Sequence, residues 1–267
     1  MRSIRVNDDV TVLNDYLEVP GLGFLAVNAF VLHAEQPVVI DTGLGLPDRD
    51  FLEHLGSVLD PADVRWIWLT HPDRDHTGAL FELLEVAPDA RLITTFAGAG
   101  IMSAECPLPM GRLYFLNPGE SLDVGDRTLT AFRPPLFDNP ATVGFFDDSS
   151  GSCFSSDCFG APLASAEHAS AVDVRHVAPD ELAERQRLWA SVDSPWVSTA
   201  DPVKFGRTVD PLAAFGPSAI FSTHLPPAID RTAQLLATIR TAPSIDPFIG
   251  PDQHALEQIL RQFEPAV

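Results

Sequence analysis

Near its N-terminus the chain has two apolar runs separated by a short polar turn. Residues 24–32 and 38–40 are rich in aliphatic and β-branched side chains, and residues 34–37 lie between them. This pattern predicts a β-hairpin at the entrance to a sheet. In residues 48–59 the apolar side chains recur near helical spacing, which predicts an amphipathic helix; they are Phe51, Leu52, Leu55, Val58 and Leu59.

The next apolar run leads into a strongly polar loop. Residues 64–69 contain Val, Ile and Trp and end at Thr70-His71-Pro72, where proline interrupts a regular ladder, so we predict a buried strand. Residues 78–86 return to helical spacing, and Asp75 stands where a helix N-cap would lie. The histidine-rich loop is therefore predicted to join a strand to a helix.

The rest of the chain alternates between strand-like and helix-like patterns. A charged segment, residues 180–189 or slightly beyond, predicts a helix, and residues 219–221 predict a last core strand before His224. Five further short strands are predicted, at residues 92–95, 121–124, 128–132, 143–146 and 153–155. Strands, helices, strands and helices in this order indicate two sheets with helices outside.

Composition and charge narrow the class of protein. The 267 residues contain 45% hydrophobic side chains and no obvious seam, so we expect one domain over residues 1–267. The net charge of −20 disfavours nucleic acid and anionic membrane surfaces as partners. Three cysteines, with no apolar segment long enough for a signal peptide or membrane span, favour a reducing cytoplasmic setting without disulfides.

The strongest chemical signal is the loop His71-Pro72-Asp73-Arg74-Asp75-His76-Thr77-Gly78. Alternate residues of a short loop can point the same way, so His71, Asp73 and either Asp75 or His76 can converge on one small volume. Two imidazoles and two carboxylates at that density form a set of metal ligands. The alternative is a polar loop with a helix cap and two surface histidines.

This loop resembles the signature of the metallo-β-lactamase superfamily, in which histidines and an Asp-His pair bind two metals. Asp73 departs from it, since most hydrolases of the superfamily have histidine there. Flavodiiron proteins are the branch that places a carboxylate at this position, normally glutamate. The resemblance implies an α/β fold: a four-layer αββα sandwich of two mixed β-sheets with helices on the outer faces.

Two later segments resemble the same branch. Residues 154–160, Phe-Ser-Ser-Asp-Cys-Phe-Gly, are similar to the flavodiiron segment Phe-Ser-Asn-Asp-Ala-Phe-Gly, whose aspartate bridges two irons, which implies that role for Asp157. Residues 222–226 resemble the segment that supplies the final histidine, which implies His224 as a ligand. The resemblance covers roughly residues 20–230 and implies two metal ions held by His71, Asp73, Asp75, His76, Asp157 and His224.

One ligand of the resembling family has no counterpart. A histidine from the loop before the bridging aspartate is expected near Pro135 or Phe137, and neither side chain binds metal. Three outcomes follow: an open or water-filled position, an oxygen from Asp138, or a weak and partly empty site. We favour the open position, because Asp138-Asn139-Pro140 is also an ordinary turn.

Other polar residues are interpreted as structural. Asp41 is expected to orient a ligand histidine or cap a turn rather than bind metal. Cys153 and Cys158 flank Asp157 and are interpreted as small buried core residues rather than as a thiolate site. The five remaining histidines are interpreted as surface residues: His33, His54, His168, His176 and His254.

The carboxylate-rich ligand set favours iron, with zinc or manganese as alternatives. The flavodiiron resemblance implies binding, sensing or reduction of dioxygen or nitric oxide, and a homodimer. Electrons for a reduction would come from a separate protein or from a flavin presented by the partner subunit. The first alternative is a dinuclear hydrolase of an ester, lactone, thioester or amide, which Asp73 disfavours. The second alternative is a non-catalytic protein that binds metal or a partner through a degenerate site.

Overall fold

A computed structural model describes residues 1–263. Within this range the chain forms two β-sheets of seven and six strands. The first sheet follows sequence order: β1 Arg2–Arg5, β2 Val10–Val19, β3 Gly23–Leu32, β4 Val38–Ile40, β5 Trp66–Trp68, β6 Arg91–Thr94 and β7 Leu113–Phe115. The second has the order β13-β12-β11-β10-β9-β8: β8 Ser121–Asp123, β9 Thr128–Phe132, β10 Gly144–Asp147, β11 Ser152–Phe154, β12 Ala219–Phe221 and β13 Ala228–Ile229.

Both sheets mix parallel and antiparallel pairs. Strands β1 to β4 pair antiparallel, and β4 to β7 pair parallel. In the second sheet β11 and β12 pair parallel, with Cys153 opposite Ile220, and the other pairs are antiparallel. The helices are α1 Phe51–Gly56, α2 Arg74–Thr77, α3 Leu80–Val86, α4 Phe96–Ser103, α5 Ala166–Ala169, α6 Pro179–Asp193, α7 Pro202–Ala214, α8 Thr232–Ile239 and α9 Gln253–Phe263.

Three apolar layers define the packing. The middle layer lies between the sheets, where Phe30 and Trp68 of the first sheet meet Phe154 of the second. On the outer face of the first sheet, residues of α1, α3 and α4 pack against its strands. On the outer face of the second sheet, residues of α6, α7 and α8 do the same. The α/β four-layer sandwich of two mixed β-sheets, with helices on the outer faces, is therefore confirmed.

The alternation of side chains along β3 explains how one strand serves two layers. Phe30 and Leu32 point between the sheets, while Ala29 and Val31 point toward the outer helices. Successive side chains of a strand lie on opposite faces, so a strand covered on both sides is apolar at nearly every position. The apolar run that predicts this strand, interrupted only by the buried Asn28, is the result.

Most predicted elements are present, with differences at their ends. The hairpin of β3 and β4 is confirmed, and the five short strands and the strand at residues 219–221 agree within one residue. The helix predicted over residues 48–59 is shorter, because Asp50 caps it and a turn follows Gly56. The N-cap role predicted for Asp75 is wrong: this residue lies inside α2, and α3 begins only at Leu80.

The edge formed by the carboxyl ends of the strands is where the polar loops meet. Asp41 follows β4 and His71 follows β5, which are parallel neighbours, while Asp157 and His224 lie after the parallel neighbours β11 and β12. Ligands of mixed and parallel sheets characteristically bind at this edge. None of the described helices is both long enough and apolar enough to cross a membrane.

Candidate metal centre

Three imidazoles turn the same ring nitrogen toward one volume. The Nε2 atoms of His71, His76 and His224 each lie 3.1–3.8 Å from carboxylate oxygens of the centre. All three histidines are buried. Their rings are neighbours, with centroids 4.0 Å apart for His71 and His76 and 6.0 Å apart for His76 and His224.

The other ring nitrogen, Nδ1, of each imidazole has a polar partner on the side away from the centre. His76 Nδ1 lies 2.8 Å from Asp41 Oδ2, and His224 Nδ1 donates to the Ala26 carbonyl at 2.8 Å. His71 Nδ1 lies 3.1 Å from the Ser156 hydroxyl. These partners fix which nitrogen of each ring faces the centre. As predicted, Asp41 contacts a candidate ligand histidine, and the same carboxylate also accepts from the backbone and hydroxyl of Thr70.

Two of these anchors have unusual backbone conformations. Asp41 has φ 56° and Ser156 has φ 54°, the left-handed region that side-chain-bearing residues seldom adopt. Such strain persists only where surrounding contacts over-determine it. At Ser156 these contacts are the His71 imidazole and the Thr70 hydroxyl, to which Ser156 Oγ donates at 2.9 Å.

The Asp157 carboxylate lies between two groups of donors. Its Oδ2 is 3.5 Å from His71 Nε2, while its Oδ1 is 3.1 Å from His76 Nε2 and 3.3 Å from His224 Nε2. The Trp189 indole donates to the Asp157 carbonyl at 3.0 Å and fixes the loop. The two oxygens of Asp157 therefore face different imidazoles.

The carboxylates of Asp75 and Asp73 lie on opposite sides of Asp157: one is near His76 and His224, and the other is near His71. Asp75 Oδ2 is 3.6 Å from His76 Nε2 and 3.4 Å from His224 Nε2. On the opposite side, Asp73 Oδ2 is 3.7 Å from His71 Nε2, and Asp73 is held by the Asn139 amide, which donates to its Oδ1 at 2.9 Å. All six predicted residues thus converge on one small region.

The position that lacks its histidine contains a carboxylate. Asp138 Oδ1 is 3.8 Å from His71 Nε2, and Asp138 groups with His71 and Asp73 within 4.8 Å. Phe137 and Pro135 line a cavity outside the centre instead. The Asp138 carboxyl therefore lies close enough to His71 and Asp73 to share an ion with them, and the choice between an open position and an Asp138 oxygen stays a prediction.

A further carboxylate, at Asp193, was missed by the sequence analysis. It ends helix α6, accepts from the Ser194 hydroxyl at 2.8 Å and lies within 4.8 Å of Asp138 and Asp157. No motif marks it, because α6 brings it to the centre from more than thirty positions beyond Asp157. It lies farther from the imidazoles than the three predicted carboxylates do, since those carboxylates form ion pairs with the imidazoles and Asp193 forms none.

The protonation of the centre reflects crowded carboxylates. Burial acts to raise the pKa of the Asp157 carboxyl, but His76 and His224 outweigh it and hold that pKa below its usual range. Burial and repulsion by Asp157 raise the pKa of Asp138 to about 7 and that of Asp193 to about 8. A cation at this place would relieve the repulsion among the three carboxylates.

The imidazoles show the complementary behaviour. Burial lowers the pKa of His224, but the Asp157 and Asp75 carboxylates outweigh it and raise that pKa to about 9. Asp157 likewise raises the pKa of His76 against burial, whereas burial and the neighbouring His76 lower the pKa of His71. In the absence of metal, protons on two imidazoles therefore provide the positive charge that the carboxylates require.

The donor set fits metal ions. Three of its buried atoms have no hydrogen-bond partner within residues 1–263: His71 Nε2, His76 Nε2 and Asp157 Oδ1. Orphaned atoms of this kind are rare in protein interiors and require an explanation. Ligands about 2.1 Å from one ion lie about 3.0–3.5 Å from each other, which is close to the observed separations.

Most of the residues interpreted as structural agree with that reading. Cys153 and Cys158 are buried with free thiols, and burial raises the pKa of both. His176 and His254 are exposed. The other three histidines, His33, His54 and His168, are only partly exposed, so their description as surface residues was too simple.

Comparison with known proteins gives matches of three kinds. Residues 22–95 match the family model described as the metallo-beta-lactamase superfamily. Over 177 residues the chain is 28% identical to the anaerobic nitric oxide reductase flavorubredoxin of Salmonella typhi. That match covers 66% of this chain and 36% of the relative, so the chain spans well under half of that protein's length.

Solved structures share the fold. The rubredoxin oxygen:oxidoreductase of Desulfovibrio gigas has a TM-score of 0.74 at 18% identity, covering 91% of this chain and 61% of that one. The flavodiiron protein of Giardia intestinalis has a TM-score of 0.76 at 14% identity, covering 91% and 59%. The architecture is therefore that of the metallo-β-lactamase fold found in flavodiiron proteins.

Proposed function

We propose that this chain, which has the metallo-β-lactamase fold of the flavodiiron core, holds a pair of metal ions bridged by Asp157. The first ion would be bound by His71, Asp73 and Asp138. The second would be bound by Asp75, His76 and His224, a triad whose donor atoms lie within 4.8 Å of one another. The observation that carries the proposal is the position of Asp157, whose two oxygens face different imidazoles at 3.1–3.5 Å.

We propose iron as the metal. The donor set contains four carboxylates that face the imidazoles, at Asp73, Asp75, Asp138 and Asp157, against three imidazoles. Oxygen-rich mixed sites suit iron or manganese, while sites dominated by imidazole or thiolate suit zinc. Asp138 in place of a histidine shifts the balance further toward oxygen than in the resembling family.

The proposed activity is binding, sensing or reduction of dioxygen or nitric oxide. When bound, the metal pair would supply the redox chemistry and the binding position. The chain's own residues orient the donors: Asp41 and Ser156 fix two imidazoles, and the Asn139 amide holds Asp73. Named relatives and structural neighbours include a nitric oxide reductase and an oxygen oxidoreductase, which supports this class of substrate. We propose a separate protein as electron donor.

Elemental analysis and one variant test the centre. Protein reconstituted anaerobically with iron should hold two equivalents, and Asp157→Ala should lose both, because two cations would then face each other without their shared anion. Asp148→Ala, at an exposed aspartate, is the matched control and should retain both. Two full equivalents in Asp157→Ala would refute the bridge.

The same protein distinguishes the rival functions. Given a chemically reduced flavin as electron source, the iron protein should consume dioxygen or nitric oxide, and Asp157→Ala should not. A zinc-loaded protein with ester or lactone turnover and no gas consumption would establish the hydrolase instead. Less than one equivalent of any metal, with neither activity, would establish a degenerate site.

We also propose a homodimer. Several large apolar side chains are exposed near one another in sequence on α4 and the segment after it, and Phe96 and Phe115 make an edge-to-face contact at 6.1 Å. Exposed apolar patches of this kind mark protein contacts. Sedimentation velocity should show a dimer, and Phe96→Ser should shift it toward monomer; a monomer at all concentrations would contradict the proposal.

A further inference from the structure

An apolar cavity of about 790 Å³ lies beside the metal centre. It is bounded by the end of β9, the loop that follows it and one side of α7. Aromatic and aliphatic side chains dominate its walls: Phe132, Phe137, Trp196, Phe205, Leu212 and Phe215. A volume of this size falls within the range of pockets for small organic molecules, about 300–1,000 Å³.

The cavity is separate from the metal centre but shares a wall with it. Phe137 directly precedes Asp138, and its ring packs against that of Trp196 with centroids 5.1 Å apart. The Trp196 indole donates to the Phe137 carbonyl at 2.8 Å, which fixes the pair. None of the carboxylates or imidazoles proposed as ligands lines the cavity.

Two cations, Arg133 and Lys204, line this mainly apolar cavity, and neither makes an ion pair within the described chain. The half-buried Arg133 donates to the Pro140 carbonyl at 2.6 Å and lies 5.2 Å over the Phe137 ring, but makes no ion pair with any residue from 1 to 263. Burial lowers the pKa of Arg133, and no carboxylate opposes that effect. Lys204 is exposed at the rim and is likewise unpaired in the described chain.

The carboxylate of Asp201 also lines the cavity, but it makes no ion pair with either cation in the described residues. It caps helix α7 by accepting from the Lys204 backbone amide at 2.9 Å. Some arginines of this acidic chain pair with carboxylates, and Arg127, for example, contacts three aspartates. Others, such as the partly buried Arg112, make no ion pair in the described chain but donate to three backbone carbonyls. The Arg133 side chain makes one hydrogen bond among the described residues, so its remaining donors are available for an external anion.

We propose that this cavity binds an amphipathic organic carboxylate, with its apolar body against the aromatic walls and its carboxylate on Arg133 and Lys204. Apolar area supplies most of the affinity, and the two cations select a negative head group over a neutral or positive one. The site is independent of the metal centre, so binding should be the same in metal-loaded and chelated protein.

The test compares three probes that share one chain length. Dodecanoate, dodecanol and dodecyltrimethylammonium are used below their aggregation limits to displace a fluorescent anilinonaphthalene sulfonate. Dodecanoate should bind about tenfold more tightly than dodecanol, and the ammonium compound should bind most weakly. Equal binding of the three would overturn the proposal, because the cavity would then be a non-selective apolar surface.

Substitutions of lining residues test whether the probes bind in this cavity. Arg133→Met should remove the preference for dodecanoate over dodecanol, and Arg133→Lys should restore much of it. Lys204→Met should weaken dodecanoate about threefold, whereas Arg207→Met, at an exposed arginine of the same helix outside the cavity, should have no effect. Thr208→Trp, from an exposed lining position, should block all three probes. Unchanged dodecanoate affinity in Arg133→Met or Thr208→Trp would overturn the assignment.

Discussion

Asn28 connects the first sheet to the loop that presents His224, and its replacement by leucine is the sharpest test of how the centre is held. The side chain lies on β3 and is fully buried. Its amide donates to the Ser222 carbonyl at 3.1 Å and to the Leu225 carbonyl at 2.8 Å, and its oxygen accepts from Asn14 at 2.8 Å. Asn28→Leu conserves the approximate volume and removes all three hydrogen bonds.

The magnitude follows from these three contacts. A buried hydrogen bond contributes about 1 kcal/mol net, so their loss should lower the free energy of unfolding by about 3 kcal/mol. With an unfolding entropy of about 2.1 cal/mol/K per residue over 267 residues, this corresponds to a decrease in Tm of about 5 °C. The backbone hydrogen bond from Asn28 to the Thr223 carbonyl, at 2.9 Å, remains and keeps the sheets in contact.

Urea unfolding of chelator-treated protein measures this change without any contribution from metal. The matched control is Asn117→Leu, at an exposed asparagine, which should change the free energy of unfolding by less than about 0.5 kcal/mol. Metal titration of Asn28→Leu should then show weaker binding at the site that contains His224, with the site of His71 little affected. If Asn28→Leu is as stable as the control, the reasoning about the inter-sheet connection is wrong.

Three further outcomes follow from the geometry of the centre and its surroundings. Asp138→Ala should reduce bound iron from two equivalents to about one, since one ion loses an oxygen donor; two equivalents with unchanged affinity would restore the open-position hypothesis. Gly160→Ala should destabilise the fold and weaken metal binding, because an added Cβ would lie 2.4 Å from the Trp189 indole nitrogen. A structure of the variant in which Trp189 has not moved would contradict this prediction. In native protein an alkylating reagent should modify Cys106 alone, since the other two thiols are buried and burial raises their pKa. If mass spectrometry finds equal modification of all three cysteines, Cys153 and Cys158 are not buried as described.

The strands that the sequence analysis missed show where pattern reading fails. Strand β2 carries Asn14 and Asp15 at its centre, which interrupts the apolar run that would have marked it. Both are buried and have partners that are distant in sequence: Asn14 donates to Asn28, and Asp15 forms an ion pair with Arg49 at 3.3 Å. Strand β3 has a single polar interruption, at Asn28, and the apolar residues on both sides of it predict the strand to within one residue of its start.

The residues of the metal centre also differ in whether the local sequence marks them. His71, Asp73, Asp75 and His76 lie within six positions, so their convergence could be predicted from local spacing. Asp138 was recognised only as one of three outcomes, because its neighbours also form an ordinary turn. Asp193 has no local signal, since only the packing of α6 against the second sheet brings its carboxyl to Asp157.

The parallel pairing of β11 and β12 has a consequence for the order in which the centre can assemble. These strands are adjacent in the sheet but separated by more than sixty residues, which include α6 and α7. Contacts between segments so distant along the chain form slowly, since loop closure must precede them. The donors around His71 are complete once β11 is in place, whereas the second group requires His224, which follows β12. A bound pair of ions would therefore cross-link the loop after β5 to the loop after β12, and its main kinetic effect would be on the rate of unfolding.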